Sequence, residues 1–438
     1  MAKRRAEPVD VAVRDLSHDG RGVASNDGKV FFVHGALPGE TVRARREKKR
    51  RDLDEGVATE ILESSEDRIT PRCEVFGLCG GCALQHLEPS RQLAMKQSQV
   101  AENLERLGKV RPEEWLEPVT GPLWGYRRRA RLGVKDVRAK GRVLVGFRER
   151  GKPYVTDMER CHVLIPRVGA SLGALSDLLG EMDARASIPQ IEVAAGDEMI
   201  VLVFRHLRPL GEADRERLRQ FGAEHDFWIH LQSGGPETIE PLSADAPALC
   251  YRIPEFDVEL CFRPTDFIQI NSEVNRSLVL RALEELDPGD GEPVLDLFSG
   301  LGNFSLPLAR QGARVTAVEG EAGLVQRGRD NAAANGLEGI EFHSADLSGD
   351  IAGQPWARGS YAKALLDPPR SGARELIPQL PRMGVERVVY VSCHPATLAR
   401  DAGQLVHECG YRMTRAGVLD MFPQTAHVES MAVFERNG

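Results

Sequence analysis

Residues Val294 to Ser305, VLDLFSGLGNFS, read as a buried strand, a tight turn and the start of a helix. An apolar run without alternation suits a parallel strand covered on both faces. Gly300 and Gly302 then allow the sharp turn. A loop that cradles a pyrophosphate wants a third glycine at position 305, and here that residue is Ser305. The next strand, Arg314 to Gly320 (RVTAVEG), ends in Glu319, nineteen residues after Gly300. A carboxylate so placed accepts both hydroxyl hydrogens of a ribose, in nicotinamide and adenosyl-methionine sites alike. From about Pro254 to Gly438 strands and helices alternate, through Phe304 to Arg310, Leu324 to Asn335, Ala364 to Asp367 and Val388 to Ser392. The pattern predicts a doubly wound α/β sheet, whose ligands sit beyond the carboxyl ends of the strands. At that edge Asp346, in SAD, suits an adenine amino group, or equally a helix N-cap. Asp367 closes the strand of KALLDPPRSG before two prolines. Together these residues favour a methyl-donor pocket over a nicotinamide one.

The strand ERVVYVS delivers Cys393 to the same edge, with His394 and Pro395 behind it. A cysteine after an apolar strand is usually a small buried hydrophobe. Its place at the functional edge, the proline that stops the strand and its polar flanks argue instead for a nucleophile. Near the C-terminus DMFPQTAHVESMAVFER sets Glu429 among apolar neighbours, where it is either a surface strand residue or a buried base with a raised pKa. The two residues fit one chemistry. Carbon 5 of uracil is a poor nucleophile until a thiolate adds at carbon 6, and after methylation a carboxylate must remove the proton on carbon 5.

Working outward, the chain of 438 residues is long enough for about three domains. With 57 basic and 65 acidic residues its formal charge is −8, which argues against a polyanion partner unless the charge is unevenly spread. It is uneven: Arg43 to Arg51 (RARREKKRR) and Tyr126 to Arg131 (YRRRAR) are strongly basic, and the pair points to nucleic acid. Short apolar runs and Gly, Asn and Asp turns over about residues 8–63, with a hairpin signal at Asn26 to Gly28 (NDG), predict a small β-barrel. The division expected is 1–63, 64–253 and 254–438, the middle segment being mixed α+β with strands at Arg142 to Phe147 and Met199 to Phe204. No apolar run approaches the ~18 residues of a membrane span, and Met1 to Arg5 (MAKRR) lacks the apolar segment of a secretory signal. A cytoplasmic protein is expected, with no membrane partner and reduced cysteines.

Cys73, Cys79 and Cys82 form C(x5)C(x2)C around Gly80 and Gly81, with Cys161 as the fourth candidate. This spacing admits either a four-cysteine zinc site or a [4Fe-4S] cluster. His86 and His162 read as packing or hydrogen-bonding residues. Cys250, Cys261 and Cys409 have no partner at useful spacing and are expected in the core.

The stretches DLFSGLGNFSLPLA, LLDPPRSG, VSCHPATLARD and DMFPQTAHVE, beginning at Asp296, Leu365, Val391 and Asp420, together resemble the RNA uracil-5-methyltransferases. The resemblance spans essentially the whole chain and is closest to the iron-sulfur members with a TRAM domain that act on 23S ribosomal RNA. It implies an N-terminal TRAM (OB-like) barrel, a central α+β iron-sulfur domain and a C-terminal Rossmann-like methyltransferase domain. It further implies Cys393 as nucleophile, Glu429 as base, and S-adenosylmethionine held by Gln269, Phe298, Asn303, Glu319, Asp346 and Asp367. Cys73, Cys79, Cys82 and Cys161 would hold a [4Fe-4S] cluster that shapes the RNA-binding surface. In the barrel, Phe31 or Phe32 is a candidate base-stacking ring, at least one of them being core. His394 and Asp346 depart from the family, which has Asn at the first position and often at the second. Local pattern alone reads Gln269 as loop packing before Asn271, an N-cap for a helix to Leu286.

Three rivals are weighed by their residues. A DNA cytosine-5 methyltransferase carries its cysteine in the loop after the DPP-type strand, and here that loop reads Pro368, Pro369, Arg370. An exocyclic-amine methyltransferase wants an aromatic ring after the prolines, where Arg370 stands. A non-catalytic RNA-binding assembly factor would make Cys393 dispensable. Ribosomal and transfer RNA are not separated by the residues themselves. No DNA partner is expected, and nothing in the sequence demands more than a monomer.

Overall fold

The computed structural model describes residues 7–349 and 351–436; the basic stretch Met1 to Arg5 lies outside them. The first unit is a closed barrel, in the order Val9–Leu16, Gly22–Asn26, Lys29–His34, Leu53–Glu63 and Thr41–Lys49. Its NDG hairpin puts Asp27 and Gly28 at positive φ (51° and 76°), the backbone that a two-residue hairpin turn requires. Val11, Val13, Phe31, Val33 and Val42 fill the barrel. Strand alternation sends Phe32 to the outside, where the Arg21 guanidinium lies 4.5 Å from its ring centre. The basic run is answered within the barrel. Arg43 pairs with Asp10 (2.9 Å) and Glu60 (2.7 Å), Arg46 with Asp54 (2.9 Å), and Lys48 and Arg50 with Glu55 (both 3.2 Å). Acidic residues on the neighbouring strands thus meet the run across the sheet, while Arg43, Lys48 and Arg50 keep much of their side chains exposed.

A six-stranded sheet forms the central unit, in the order Ile239–Pro241, Trp228–Gln232, Ile200–Arg205, Gln190–Ala195, Arg129–Val137 and Arg142–Gly146. Helices Leu172–Glu181 and Glu212–His225 cover one face with Leu175, Leu179, Leu218 and Phe221. From the other face Ala194, Val201 and Val203 run into the core of the third unit. The two cores are bridged by the hairpin Leu249–Ile253 and Val258–Phe262, so a division at 253/254 passes through a hairpin. The same hairpin overturns one cysteine expectation. Cys250 and Cys261 are cross-strand neighbours joined as a disulfide, because an eleven-residue separation closes tightly once the chain turns between them. Cys409 is half-buried, as a satellite of the core.

The third unit is an eight-stranded sheet in the order Ile340–Ser344, Arg314–Glu319, Pro293–Leu297, Lys363–Leu366, Arg387–Ser392, Glu429–Arg436, Tyr411–Leu419 and Glu114–Trp115. All its strands run parallel except Glu429–Arg436. Alternate residues of Pro293–Leu297 feed two cores, Val294 with helix Ser272–Leu286 on one face and Leu295 and Leu297 with helix Pro395–Glu408 on the other. Helix Pro89–Asn103 packs into the second core through Val100, and Glu114–Trp115 extends the sheet. Residues 89–115 thus belong to the catalytic layer, although they fall within the 64–253 segment.

The helix Pro89–Asn103 is tied down by an ion pair. Lys96 is buried and donates from Nζ to Asp420 Oδ1 (2.6 Å) and the Phe422 carbonyl (3.0 Å). Removing one member of such a pair strands the other charge. Lys96→Met should therefore lower the stability of the catalytic layer by about 3–5 kcal/mol, read as a lower urea midpoint of that layer's transition. An unchanged midpoint would show that the pair does not hold the helix.

Candidate active site and cysteine centre

A cavity of about 630 Å³ opens at the carboxyl edge of the catalytic sheet. Strand Pro293–Leu297 passes into Phe298, Gly300 and Gly302, all at positive φ (64°, 57° and 100°). That left-handed path costs a glycine little, but it strains Phe298, which lines the cavity. Beneath it Asp296 is fully buried and accepts a hydrogen bond from the Ser305 hydroxyl. Ser305 thus replaces the third glycine with a donor that the buried acid needs. Burial pushes the Asp296 carboxyl up to about 7.

Glu319 accepts from the Gly300 amide (3.1 Å) and the Glu321 amide (2.9 Å), which fixes its carboxylate against the glycine turn. Asn303 and Asn275 exchange two side-chain hydrogen bonds (both 3.0 Å), and Asn303 also accepts from the Tyr251 hydroxyl (2.9 Å). Gln269 lines the cavity just before Asn271, whose side chain caps helix Ser272–Leu286 by accepting from the Val274 amide. The cavity thereby gathers Gln269, Phe298, Asn303, Glu319 and Asp367. Asp346 does not line it. That residue is exposed and accepts from the Ser348 amide (2.9 Å) and hydroxyl (2.6 Å), the bonding of a local cap.

Cys393 and Glu429 share the opposite wall. The register pairs Ser392 with Ser430, so the next step along each strand brings residue 393 beside residue 429. Glu429 is buried, and burial followed by the nearby Asp367 raises its carboxyl far above the usual carboxylate range. Asp367 is itself pushed up to about 7 by burial. Burial, then Glu429 and Asp367, push the Cys393 thiol up to about 11, and the Arg370 guanidinium opposes the rise. His394 caps helix Pro395–Glu408, its side chain accepting from the Thr397 amide (3.4 Å), so it performs the capping that an Asn would.

One positioning residue escaped the sequence reading. Asp401 is fully buried and accepts from the Tyr390 hydroxyl (2.7 Å), the Ala373 amide (2.8 Å) and Arg400 Nε (2.8 Å). Arg400 also donates to the Ser371 carbonyl (2.8 Å). These bonds tie the strand that delivers Cys393 to the loop after Asp367, on the neighbouring strand. The signal was present as the closing ARD of VSCHPATLARD, but only the fold shows what it reaches.

A second cavity, of about 240 Å³, is lined by Cys73, Cys79, Cys82 and Cys161 with Phe76, Phe147 and Met158. Arg127 and His427 line both cavities. Burial, with the other cysteines adding, raises the Cys79 and Cys161 thiols and takes Cys82 to about 12. Among the described residues no three of these sulfurs lie within 4.8 Å of one another. Four thiolates on one zinc at 2.3 Å would stand about 3.8 Å apart. His86 is buried against Phe76, while His162 sits at the cavity wall with Trp124 edge-on to it.

Comparison with known proteins gives the following. The tRNA (Uracil-5-)-methyltransferase family model matches residues 248–437, and the TRAM domain model matches residues 3–51. The chain is 50% identical to a 23S rRNA (uracil(1939)-C(5))-methyltransferase RlmD of Stenotrophomonas maltophilia, covering all of both chains. It is 52% identical to the protein of that name from Alkalilimnicola ehrlichii, covering 100% of this chain and 99% of the other. The crystal structure of the Pyrococcus abyssi tRNA (uracil-54, C5)-methyltransferase in complex with S-adenosyl-L-homocysteine superposes with a TM-score of 0.74 at 25% identity, covering 97% of this chain and 99% of that one.

A thiol that titrates near 11 is almost wholly protonated at neutral pH. Alkylation of Cys393 by iodoacetamide, followed by peptide mass spectrometry, should therefore accelerate about tenfold per pH unit between pH 7 and 9. A rate already level by pH 8 would contradict the environment described.

Proposed function

The chain belongs to the RNA (uracil-C5)-methyltransferase family, and from that premise we propose that it methylates carbon 5 of uridine 1939 in 23S ribosomal RNA. The observation that carries the reading is the meeting of Cys393 and Glu429 at one wall of a cavity whose other wall holds Glu319 and Asn303. The enzyme is S-adenosylmethionine-dependent. When bound, that cofactor supplies an electrophilic methyl group.

Glu319 would accept hydrogen bonds from the ribose hydroxyls, and Gln269, Phe298, Asn303 and Asp367, which line the same cavity, would hold the rest of the cofactor. Asp346 holds Ser348 through Oδ1 alone, which leaves Oδ2 to accept from the adenine amino group, although the residue stands outside the cavity lining. The target uridine must be flipped from its stack to reach so recessed a thiol. The Cys393 thiolate bonds to carbon 6, and the electron pair of the C5=C6 bond moves to carbon 5. Carbon 5 uses that pair to take the methyl group, whose former bonding pair stays on the donor sulfur and leaves the neutral thioether S-adenosylhomocysteine. Glu429, as carboxylate, then removes the proton on carbon 5; the freed pair restores C5=C6 and expels the thiolate. The high thiol pKa keeps Cys393 inert until RNA is bound, and Arg370 is the cation placed to favour the thiolate. The same two residues would serve a transfer RNA, but 50% identity to a ribosomal RNA enzyme, against 25% to the transfer RNA enzyme, favours 23S rRNA. The protein would act as a cytoplasmic monomer; among the described residues no helix is long and apolar enough to cross a membrane.

For the cysteine centre we favour a [4Fe-4S] cluster held by Cys73, Cys79, Cys82 and Cys161. Four cysteines lining one cavity support a bound cationic centre that would hold them as thiolates. The cluster would support the fold without taking part in the transfer.

Two outcomes are expected. Glu429→Gln should accumulate a covalent RNA adduct, seen as a retarded band on a denaturing gel, that Cys393→Ala abolishes; no adduct would exclude Glu429 as the base. Cys161→Ser should lose iron and acid-labile sulfide together, whereas zinc at one equivalent in the native protein would overturn the cluster assignment.

A further inference from the structure

We propose that the rim of the cysteine centre, around Tyr154 and Arg148, is a contact surface for an unpaired base of the RNA and its phosphate, separate from the cavity that takes the target uridine. The inference rests on the RNA-methylating function above.

Among the described residues only two aromatic rings are largely exposed, Phe267 (65%) and Tyr154 (64%). Phe267 lines the catalytic cavity. Tyr154 lies on the tip between residues 147 and 156, where nothing in the fold demands an aromatic. That tip is a small antiparallel ribbon, closed by the Arg148 to Val155 bridge and by hydrogen bonds from Glu149 N to Tyr154 O (2.8 Å) and Thr156 N to Phe147 O (2.8 Å). The cysteine loop joins it as a third strand. Cys79 bridges Glu149, Gly80 N donates to Arg148 O (2.9 Å), and Arg150 N donates to Leu78 O (2.8 Å). A Cβ at position 80 would come within 3.2 Å of the Arg148 carbonyl, so the glycine permits the close join. The Tyr154 ring is therefore held on the rim by backbone bonds to the chain that carries Cys79.

On the ribbon itself Arg150 pairs with Glu47 (3.9 Å) and Lys152 with Glu149 (2.9 Å). In the barrel run and at Arg128 and Arg131, the arginines are paired with carboxylates. Arg72, Arg148 and Arg160 have no carboxylate partner among the described residues, and each adjoins the centre: Arg72 precedes Cys73, Arg160 precedes Cys161, and Arg148 is bonded to Gly80 through its backbone. Arg72 lies over the Trp124 ring (5.5 Å). An exposed ring beside Arg148, on the rim of a centre flanked by Arg72 and Arg160, suits a single-stranded base and its backbone, since every base has a face to stack and every phosphate a charge to neutralise. Arg127 and His427, which line both cavities, make the rim continuous with the catalytic mouth.

The test measures binding of the full-length, cluster-loaded protein to a 23S rRNA fragment containing uridine 1939, across a salt series. Tyr154→Ala should weaken binding about tenfold at every salt concentration, the loss of one base stack, and Tyr154→Phe should restore it. Arg148→Ala should lower the slope of log affinity against log salt by about one. S-adenosylmethionine affinity and iron content should stay unchanged in all three, which separates a contact from a folding defect. Wild-type affinity and slope in Tyr154→Ala and Arg148→Ala, with the wild type forming 5-methyluridine, would overturn the proposal and spare the function. A wild type that makes no 5-methyluridine but whose binding still falls in Tyr154→Ala would do the reverse.

Discussion

One strand runs against its neighbours, and the chemistry of the site depends on it. In a parallel sheet every strand presents its last residue to the carboxyl edge. Because Glu429–Arg436 is inserted antiparallel beside Arg387–Ser392, it presents its first residue there, and Glu429 meets Cys393. The residues before it, 420–428, must then cross the edge of the sheet to enter the strand. They bring Phe422 and His427 to the cavity and receive Lys96 from a distant helix. A parallel strand at this place would leave its carboxylate at the opposite end of the sheet.

That arrangement sets the electrostatics. Asp367 and Glu429 are crowded at one wall, and both are raised. Two buried carboxyl groups at close quarters resist simultaneous ionisation, and their charge in turn opposes ionisation of the thiol between them. Burial and these two carboxyl groups push the Cys393 thiol up. A reacting base that excludes water and accepts electron density changes this balance, which couples attack to correct substrate placement. The Asp401 network serves the same end mechanically, holding the Asp367 loop and the Cys393 strand at a fixed separation.

Much of this was legible in the sequence wherever the signal was local. The strand and glycine turn from Val294 to Ser305, the Asn271 cap, the NDG hairpin and the barrel strands follow from patterns of a few residues. What escaped was non-local. The Cys250–Cys261 bond needs a hairpin that the spacing does not announce. The helix Pro89–Asn103 joins a sheet whose other strands begin nearly two hundred residues later in the chain. The sequence likewise does not show the carboxylates that pair with the basic barrel run across neighbouring strands.

The central claim is that carbon 5 of the target loses its proton at this site, through a bond between carbon 6 and Cys393. It is tested most directly with a 23S rRNA fragment tritiated at carbon 5 of its uridines. Tritium released to water and methyl groups incorporated should rise together, one for one, and both should vanish in Cys393→Ala. Methyl incorporation without tritium release, or undiminished release by that variant, would contradict the account.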